Sequence, residues 1–172
     1  MTHVRLGKLV TRIVSGGQTG ADRAALDWAI AHGIPHGGWC PPGRLAEDGA
    51  IDARYKLTEL ASGGYRERTR RNVEESDGTL ILNLGELDGG TLETQQFAAQ
   101  LKKPCCVLQL DAGMTDEMAA RATGFLRDHE MKTLNIAGPR ESKRPGIYAA
   151  VTAALDLLEK GYELHAADLG LG

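Results

Sequence analysis

Short apolar runs alternate along the chain with stretches whose apolar residues recur at helical spacing, and glycine or proline marks most of the boundaries. Arg12–Ser15 reads as a first strand and Asp22–His32 as a helix stopped by Gly33. His36–Trp39 predicts a short second strand, followed by a loop from Cys40 to Asp52 and a candidate edge strand over Tyr55–Leu60. A polar helix is expected over Tyr65–Glu75. Asp77-Gly78 then turns the chain into Thr79–Asn83, apolar enough for the centre of a sheet. The unit repeats as loop Leu84–Gly90, helix Thr91–Leu101, breaker Lys103-Pro104 and strand Cys105–Gln109. A helix over Thr115–Glu130, a strand over Thr133–Ala137, a loop over Gly138–Gly146 and a last helix over Ile147–Lys160 complete it.

Strands that alternate with helices imply the α/β class, with parallel strands covered on both sides. The expectation is one Rossmann-like three-layer domain spanning 1–172, with a mainly parallel central sheet and helices on both faces. Its core covers about 12–160, and a loosely held tail covers 161–172.

Length and composition agree with one soluble globular domain: 172 residues, 42% hydrophobic and 25% charged. A formal charge of −3 offers no general attraction to nucleic acid or to an anionic membrane, so an anion site must be local. No apolar run is long enough to span a bilayer and the first residues lack the apolar core of a signal peptide, so a cytoplasmic location is expected. Cys40, Cys105 and Cys106 match no zinc spacing and the histidines are scattered, so no protein-ligated metal is expected. Only glycine stands out: its 22 residues are nearly twice the usual share of ~7%, and many fall at predicted strand ends.

The first of these strand ends, Gly16-Gly17-Gln18-Thr19-Gly20, joins the first strand to a helix that carries Asp22 in its first turn. Glycines allow a tight turn and close approach, and a helix start aims free N–H groups at an oxyanion, while Gln18 and Thr19 can add donors. A phosphate loop of the Walker type would end in Gly-Lys-Ser/Thr, but Ala21-Asp22 follows Gly20. The G-x-G-x-x-G of a dinucleotide fold is also absent. An ATPase and a simple NAD enzyme are thereby disfavoured.

Three further loops follow predicted strands. In the second, Trp39 offers a flat face for a ring, Arg44 a planar fork for phosphate, and Glu47 and Asp48 acceptors for ring or ribose donors. In the third, Gly89, Gly90 and Thr91 lead into another helix with Glu93 one turn in. The fourth, Gly138–Gly146, holds Arg140, Lys143 and Arg144, with Ser142 as a further donor. Each also has a plain reading as a turn, a helix cap or a solvated loop. Arg68 and Asn72 share one face of the polar helix, which could point at the crevice, although a solvated surface is the commoner fate of such a run.

Several segments together resemble the family of molybdenum carrier proteins: Ser15-Gly16-Gly17-Gln18-Thr19-Gly20-Ala21-Asp22-Arg23, Gly37-Gly38-Trp39-Cys40-Pro41, Gly43-Arg44-x-Ala46-Glu47-Asp48-Gly49, Arg68-Thr69-x-x-Asn72-Val73 and Asn135-Ile136-Ala137-Gly138-Pro139-Arg140-Glu141-Ser142. The likeness runs from about residue 12 to 158. It implies a relative of the molybdenum cofactor carriers, of the DprA-type proteins and of the LOG or lysine decarboxylase-like proteins, which bind nucleotides or similar ligands and often form dimers or tetramers. The function implied is a carrier that binds the molybdenum cofactor (molybdopterin) or a nucleotide, with a small phosphorylated ligand as partner and a homodimer or homotetramer as assembly.

The LOG resemblance implies an alternative, an N-glycosidic hydrolase of nucleoside monophosphates in which Glu93 acts on the sugar and Arg68 anchors the phosphate. Here Gly89-Gly90-Thr91-Leu92-Glu93 departs from the LOG pattern Pro-Gly-Gly-x-Gly-Thr-x-Glu: Asp88 replaces the proline and two loop residues are missing. That shift moves Glu93 relative to any ligand. A third reading, an interaction module whose glycine loops are only turns, has less to support it.

Overall fold

The computed structural model describes residues 3–163. The chain runs through β1 (His3–Val4), α1 (Leu6–Leu9), β2 (Arg12–Val14), α2 (Ala21–Ala31), β3 (His36–Gly37) and β4 (Trp39–Cys40). A 3-10 turn at Pro42–Arg44, the small pair β5 (Leu45–Ala46) and β6 (Gly49–Ala50), and β7 (Thr58–Glu59) fill the long second loop. Then come α3 (Tyr65–Glu74), β8 (Gly78–Asn83), α4 (Gly89–Gln100), β9 (Cys105–Gln109), α5 (Asp116–Asp128), β10 (Thr133–Ala137), α6 (Ile147–Lys160) and β11 (Tyr162–Glu163).

Five strands pair in the order β3-β2-β10-β8-β9, all parallel. This is a Rossmann-like three-layer α/β domain. Every residue of β8 is buried, as expected of a strand with neighbours on both sides and helices above and below. Side chains alternate between the faces of a strand. Leu80, Leu82, Leu108, Leu134 and Ile136 join α1, α2, α5 and α6 in the larger core. The opposite face is covered by α3 and α4, where Val73, Phe97 and Ala98 form a smaller cluster. Three polar strand residues, Thr79, Asn83 and Asn135, are also buried.

The second strand differs from its sequence expectation. Gly38 takes φ +121, and a Cβ there would lie 2.2 Å from the Ser15 carbonyl oxygen. At that bend the chain leaves β2, so Trp39–Cys40 pair in parallel with Thr58–Glu59 instead. The third glycine loop differs too: α4 begins at Gly89, two residues earlier than expected. Of the tail expected over 161–172, Tyr162–Glu163 pair antiparallel with His3–Val4, and 164–172 lie outside the described residues. Among the described residues no helix is long and apolar enough to cross a membrane.

Candidate functional site

A cleft of about 330 Å³ opens at the carboxyl end of β10. β2 leads to β3 on one side and β8 to β9 on the other, so the cleft sits where strand order reverses, the usual ligand position in an open parallel sheet. Helix α3 contributes Tyr65, Arg68, Thr69 and Asn72, and α4 contributes Gly89, Gly90, Thr91, Glu93 and Thr94. Asn135 through Arg140, with Lys143, form another wall, and the first glycine loop adds Gly16, Gln18 and Asp22.

Inside the cleft Arg68 donates from Nη1 to Asp22 Oδ2 at 3.1 Å, with only 11% and 10% of the two side chains exposed. Burial holds the Asp22 carboxyl above its ordinary range, and the Arg68 guanidinium, next in weight, offsets that only in part. Gly16 makes the pairing possible: a Cβ there would lie 1.9 Å from Arg68 Nη1. This glycine therefore serves the close approach of an arginine of the protein itself.

The rest of the first loop is filled in the same way. Gly17 (φ +78) packs under Ile51 and Leu57, and Gly20 (φ +80) under the backbone of Pro139 to Glu141. The Ala21 N–H donates to the Pro139 carbonyl and the Thr19 N–H to Gln18 Oε1. The sequence expects an anion cradle built from the amides of this loop and the start of α2; of these, the amides of Thr19 and Arg23 are taken up by Gln18 and that of Ala21 by loop four. Asp22 also stands in the first turn of α2 and answers its dipole internally.

The start of α4 is open by comparison. It has no side-chain cap and no acid in its first turn, and an added Cβ at Gly90 would meet nothing within 4 Å. Its free N–H groups border the cleft. Asp88, placed at the cap, instead accepts from Lys143 at 2.8 Å and Arg144 at 3.3 Å. This explains the departure from the LOG pattern at residue 88, because the carboxylate latches loop four onto α4. Lys143 and Arg140 stand on the cleft wall with Arg68, so three cations share one concave surface.

Glu47 does not line the cleft; it clasps the loops that do. It accepts from Thr19 Oγ1, Ser142 N and Ser142 Oγ, and pairs with Arg140 at 3.5 Å. Burial would raise the Glu47 carboxyl, but the hydrogen bonds from Ser142 and Thr19 together outweigh it and hold the group below its ordinary value of 4.5. A carboxyl lowered by folding contributes stability above its unfolded value, and that contribution fades as pH falls through the folded one. The melting-temperature gap between wild type and Glu47→Gln should therefore be widest near neutrality and close on acidification below 4.5. A gap unchanged between pH 7 and pH 3 would remove the ionised clasp.

Other predicted residues lie elsewhere. Arg44 donates to the carbonyls of Ile51, Asp52 and Tyr55, which leaves its fork committed to the loop rather than to a phosphate. Asp48 accepts two bonds from Arg23, whose guanidinium also reaches the Gly17 carbonyl. Trp39 donates to Glu75 at 2.8 Å and lies under Arg71 at 4.2 Å. It borders a separate hollow with Arg12, Thr58 and Thr133, because the Gly38 bend carries it away from the cleft.

Three nine-tenths-buried polar side chains reach the cleft with one end unpartnered among the described residues. Asn135, 3% exposed, meets Thr79 Oγ1 at 3.1 Å through one end of its carboxamide, and the other end has no partner. Gln18 Oε1 accepts from Thr19 N and Glu47 N, while its amide nitrogen donates to nothing. The Thr91 hydroxyl also stands alone. The residues are buried but their free ends face the open cleft, so each is available to a molecule that enters it. Asn135, Tyr65, Thr69 and Thr94 line the cleft without standing out in the sequence as ligand-binding residues. For the α3 set the available signal was spacing, since 65, 68, 69 and 72 lie on one helical face.

The profile of the circularly permutated YpsA SLOG family matches residues 13–158. A crystal structure of a protein from Syntrophus aciditrophicus SB, named as a molybdenum carrier, is 49% identical, with a TM-score of 0.85. The match covers 87% of this chain and 95% of that one. No curated protein matches.

Proposed function

The chain belongs to the circularly permutated YpsA SLOG family, and from that premise we propose that its cleft binds a small phosphorylated, ring-bearing ligand, either the molybdenum cofactor or a nucleotide, and that the protein acts as its carrier. The observation that carries this reading is the meeting of Arg68, Arg140 and Lys143 with the open start of α4 in one cleft, into which Asn135, Gln18 and Thr91 also turn polar ends. Helix starts and guanidinium or ammonium groups suit a phosphate, and the polar ends of Asn135, Gln18 and Thr91 suit the edge of a heterocycle. The volume lies at the small end of ligand sites, ~300–1,000 Å³. The name of the Syntrophus aciditrophicus protein supports a carrier role.

The molybdenum cofactor fits this donor set through its phosphate and pterin. When bound, it supplies the metal through its own dithiolene sulfurs. Among the described residues no group of three His, Cys, Asp or Glu is placed to hold a metal. The protein's share of the work is then to hold the organic part: Lys143 and Arg140 oppose the phosphate charge, and α4 directs its amides at it. We propose a homodimer or homotetramer on the strength of the resemblance; light scattering reads the assembly.

Calorimetry with the cofactor, its precursors and the common nucleotides tests the reading. Binding in the micromolar range is expected, weakened about tenfold by Lys143→Ala through loss of a charge-assisted hydrogen bond. Absence of any binding tighter than millimolar would sink it.

A second reading is favoured by one observation: Glu93 and Arg68 line the same cleft. In hydrolysis of a nucleoside monophosphate, water adds to the anomeric carbon as the N-glycosidic bond breaks, giving free base and ribose 5-phosphate. Glu93 would steady or attack the developing oxocarbenium centre while Arg68 holds the phosphate. Glu93 pairs with Arg66 at 3.3 Å, which must loosen for that role. Release of free base by wild type, lost in Glu93→Gln, separates this enzyme from a carrier.

A further inference from the structure

Among the described residues the exposed large apolar side chains are Ile30, Leu45, Tyr65, Tyr148 and Leu157, and of these only Tyr65 lines the cleft. The residue is 39% exposed. Arg68 stands over it at 5.5 Å and holds it in place, while Arg68 is itself anchored by the buried Asp22. An aromatic ring kept open to solvent at the mouth of a cationic cleft, on a preorganised support, is a platform for another flat ring. The unpartnered end of the Asn135 carboxamide lies in the same cleft, buried on a strand and pinned by Thr79. Its Nδ2 donates to Thr79, so the free end is Oδ1, an acceptor, which suits an N–H or amino group on the edge of a nitrogen heterocycle.

We infer that Tyr65 stacks the ligand's ring and that Asn135 reads its polar edge, so that the cleft selects a planar, nitrogen-bearing heteroaromatic ring, purine or pterin, over a bare sugar phosphate. This rests on the ligand-binding reading above and adds to it the residues that recognise the ring. Trp39, the aromatic that the sequence favours for this task, is occupied by Arg71 and Glu75 outside the cleft.

The test is calorimetry of GMP, AMP, 6-hydroxymethylpterin and ribose 5-phosphate with wild type, Tyr65→Ala, Tyr65→Phe and Asn135→Ala. Tyr65→Ala should weaken the tightest ring ligand about tenfold or more, the scale of base stacking on an aromatic side chain. Tyr65→Phe should stay within about twofold, since stacking needs the ring and not the hydroxyl. Ribose 5-phosphate, which has no aromatic ring to stack, should bind wild type and both Tyr65 variants equally. Asn135→Ala should weaken the ring ligands alone. Tyr65 is exposed and its variants should fold, so their result stands if Asn135→Ala does not. Dependence on Tyr65 for either ring class supports the inference, and the preferred ligand distinguishes purine from pterin. Unchanged ring binding in Tyr65→Ala overturns it while the ligand-binding reading survives, and an equal loss for ribose 5-phosphate overturns it by making Tyr65 a mere prop. Wild type that binds none of the four overturns both.

Discussion

Arg68→Ala is expected to destabilise the protein by about 3–5 kcal/mol, because it leaves the Asp22 carboxylate buried and unpaired. For a domain of this length that is a fall in melting temperature of roughly 6–20 °C. The loss should depend on pH in a definite direction. With the guanidinium gone, the largest of the influences that oppose burial is removed, and Asp22 rises further above its ordinary 3.8. A carboxyl raised by folding binds its proton more tightly in the folded state, so the variant regains stability as pH falls through that raised value. Denaturant unfolding at pH 7 and pH 5 should show the penalty shrinking in acid. Asp22→Asn in the same chain should recover part of it, and the double-mutant cycle isolates the pair. Ligand binding should weaken in the single variant even where it folds, since the cleft loses a cation and the Tyr65 ring loses its support. If Arg68→Ala melts like wild type at both pH values, the buried pair is not what holds the cleft together.

Gly20→Ala should be comparably damaging, for a reason that involves no charge. At φ +80 and ψ −126 the residue occupies backbone space almost reserved for glycine, worth about 1–3 kcal/mol to another residue. The new methyl would also lie 2.6 Å from both the Glu141 nitrogen and the Pro139 oxygen. Those are backbone atoms: the Pro139 oxygen accepts from the Ala21 N–H and the Glu141 N–H donates to Thr19 Oγ1, so they cannot swing aside as a side chain could. Overpacking adds about another 1–3 kcal/mol. Gly33→Ala is the control: φ is again positive, at +65, but nothing lies within 4 Å, so only the left-handed backbone cost of about 1–2 kcal/mol remains. Gly20→Ala should also weaken ligand binding by displacing Arg140, whereas Gly33→Ala should not. Equal unfolding midpoints for the two variants would show that loop four is free to move.

Both predictions turn on residues whose types were plain in the sequence and whose neighbours were not. Gly16, Gly17 and Gly20 look like a phosphate cradle because a glycine turn ahead of a helix is one in isolation. What closes the turn comes from far along the chain: Arg68, Ile51 with Leu57, and Pro139 to Glu141. Arg44 reads as a phosphate fork for the same reason, although three carbonyls within the next dozen residues occupy it. The i, i+4 relation of Arg68 and Asn72 did mark a single helical face, but only packing of α3 against the sheet turns that face inward.

Local pattern went further with the elements themselves. The strands at Cys105–Gln109 and Thr133–Ala137 and the helix at Ile147–Lys160 coincide with expectation to the residue. Their periodicity is strong and glycine or proline stands near their boundaries, so each is settled by interactions within a few residues. Strand alternation with helices likewise carries the three-layer parallel architecture, since parallel neighbours require crossovers. Which strand lies beside which is another matter: β10, the last strand of the sheet, inserts between β2 and β8. That insertion places Asn135 and loop four against the first glycine turn and leaves the start of α4 as the open one. Residue type and spacing set the secondary structure and the class of fold because those energies are local. The site depends on which polar groups remain unpaired once the whole chain has packed, a property of distant neighbours that no local pattern contains.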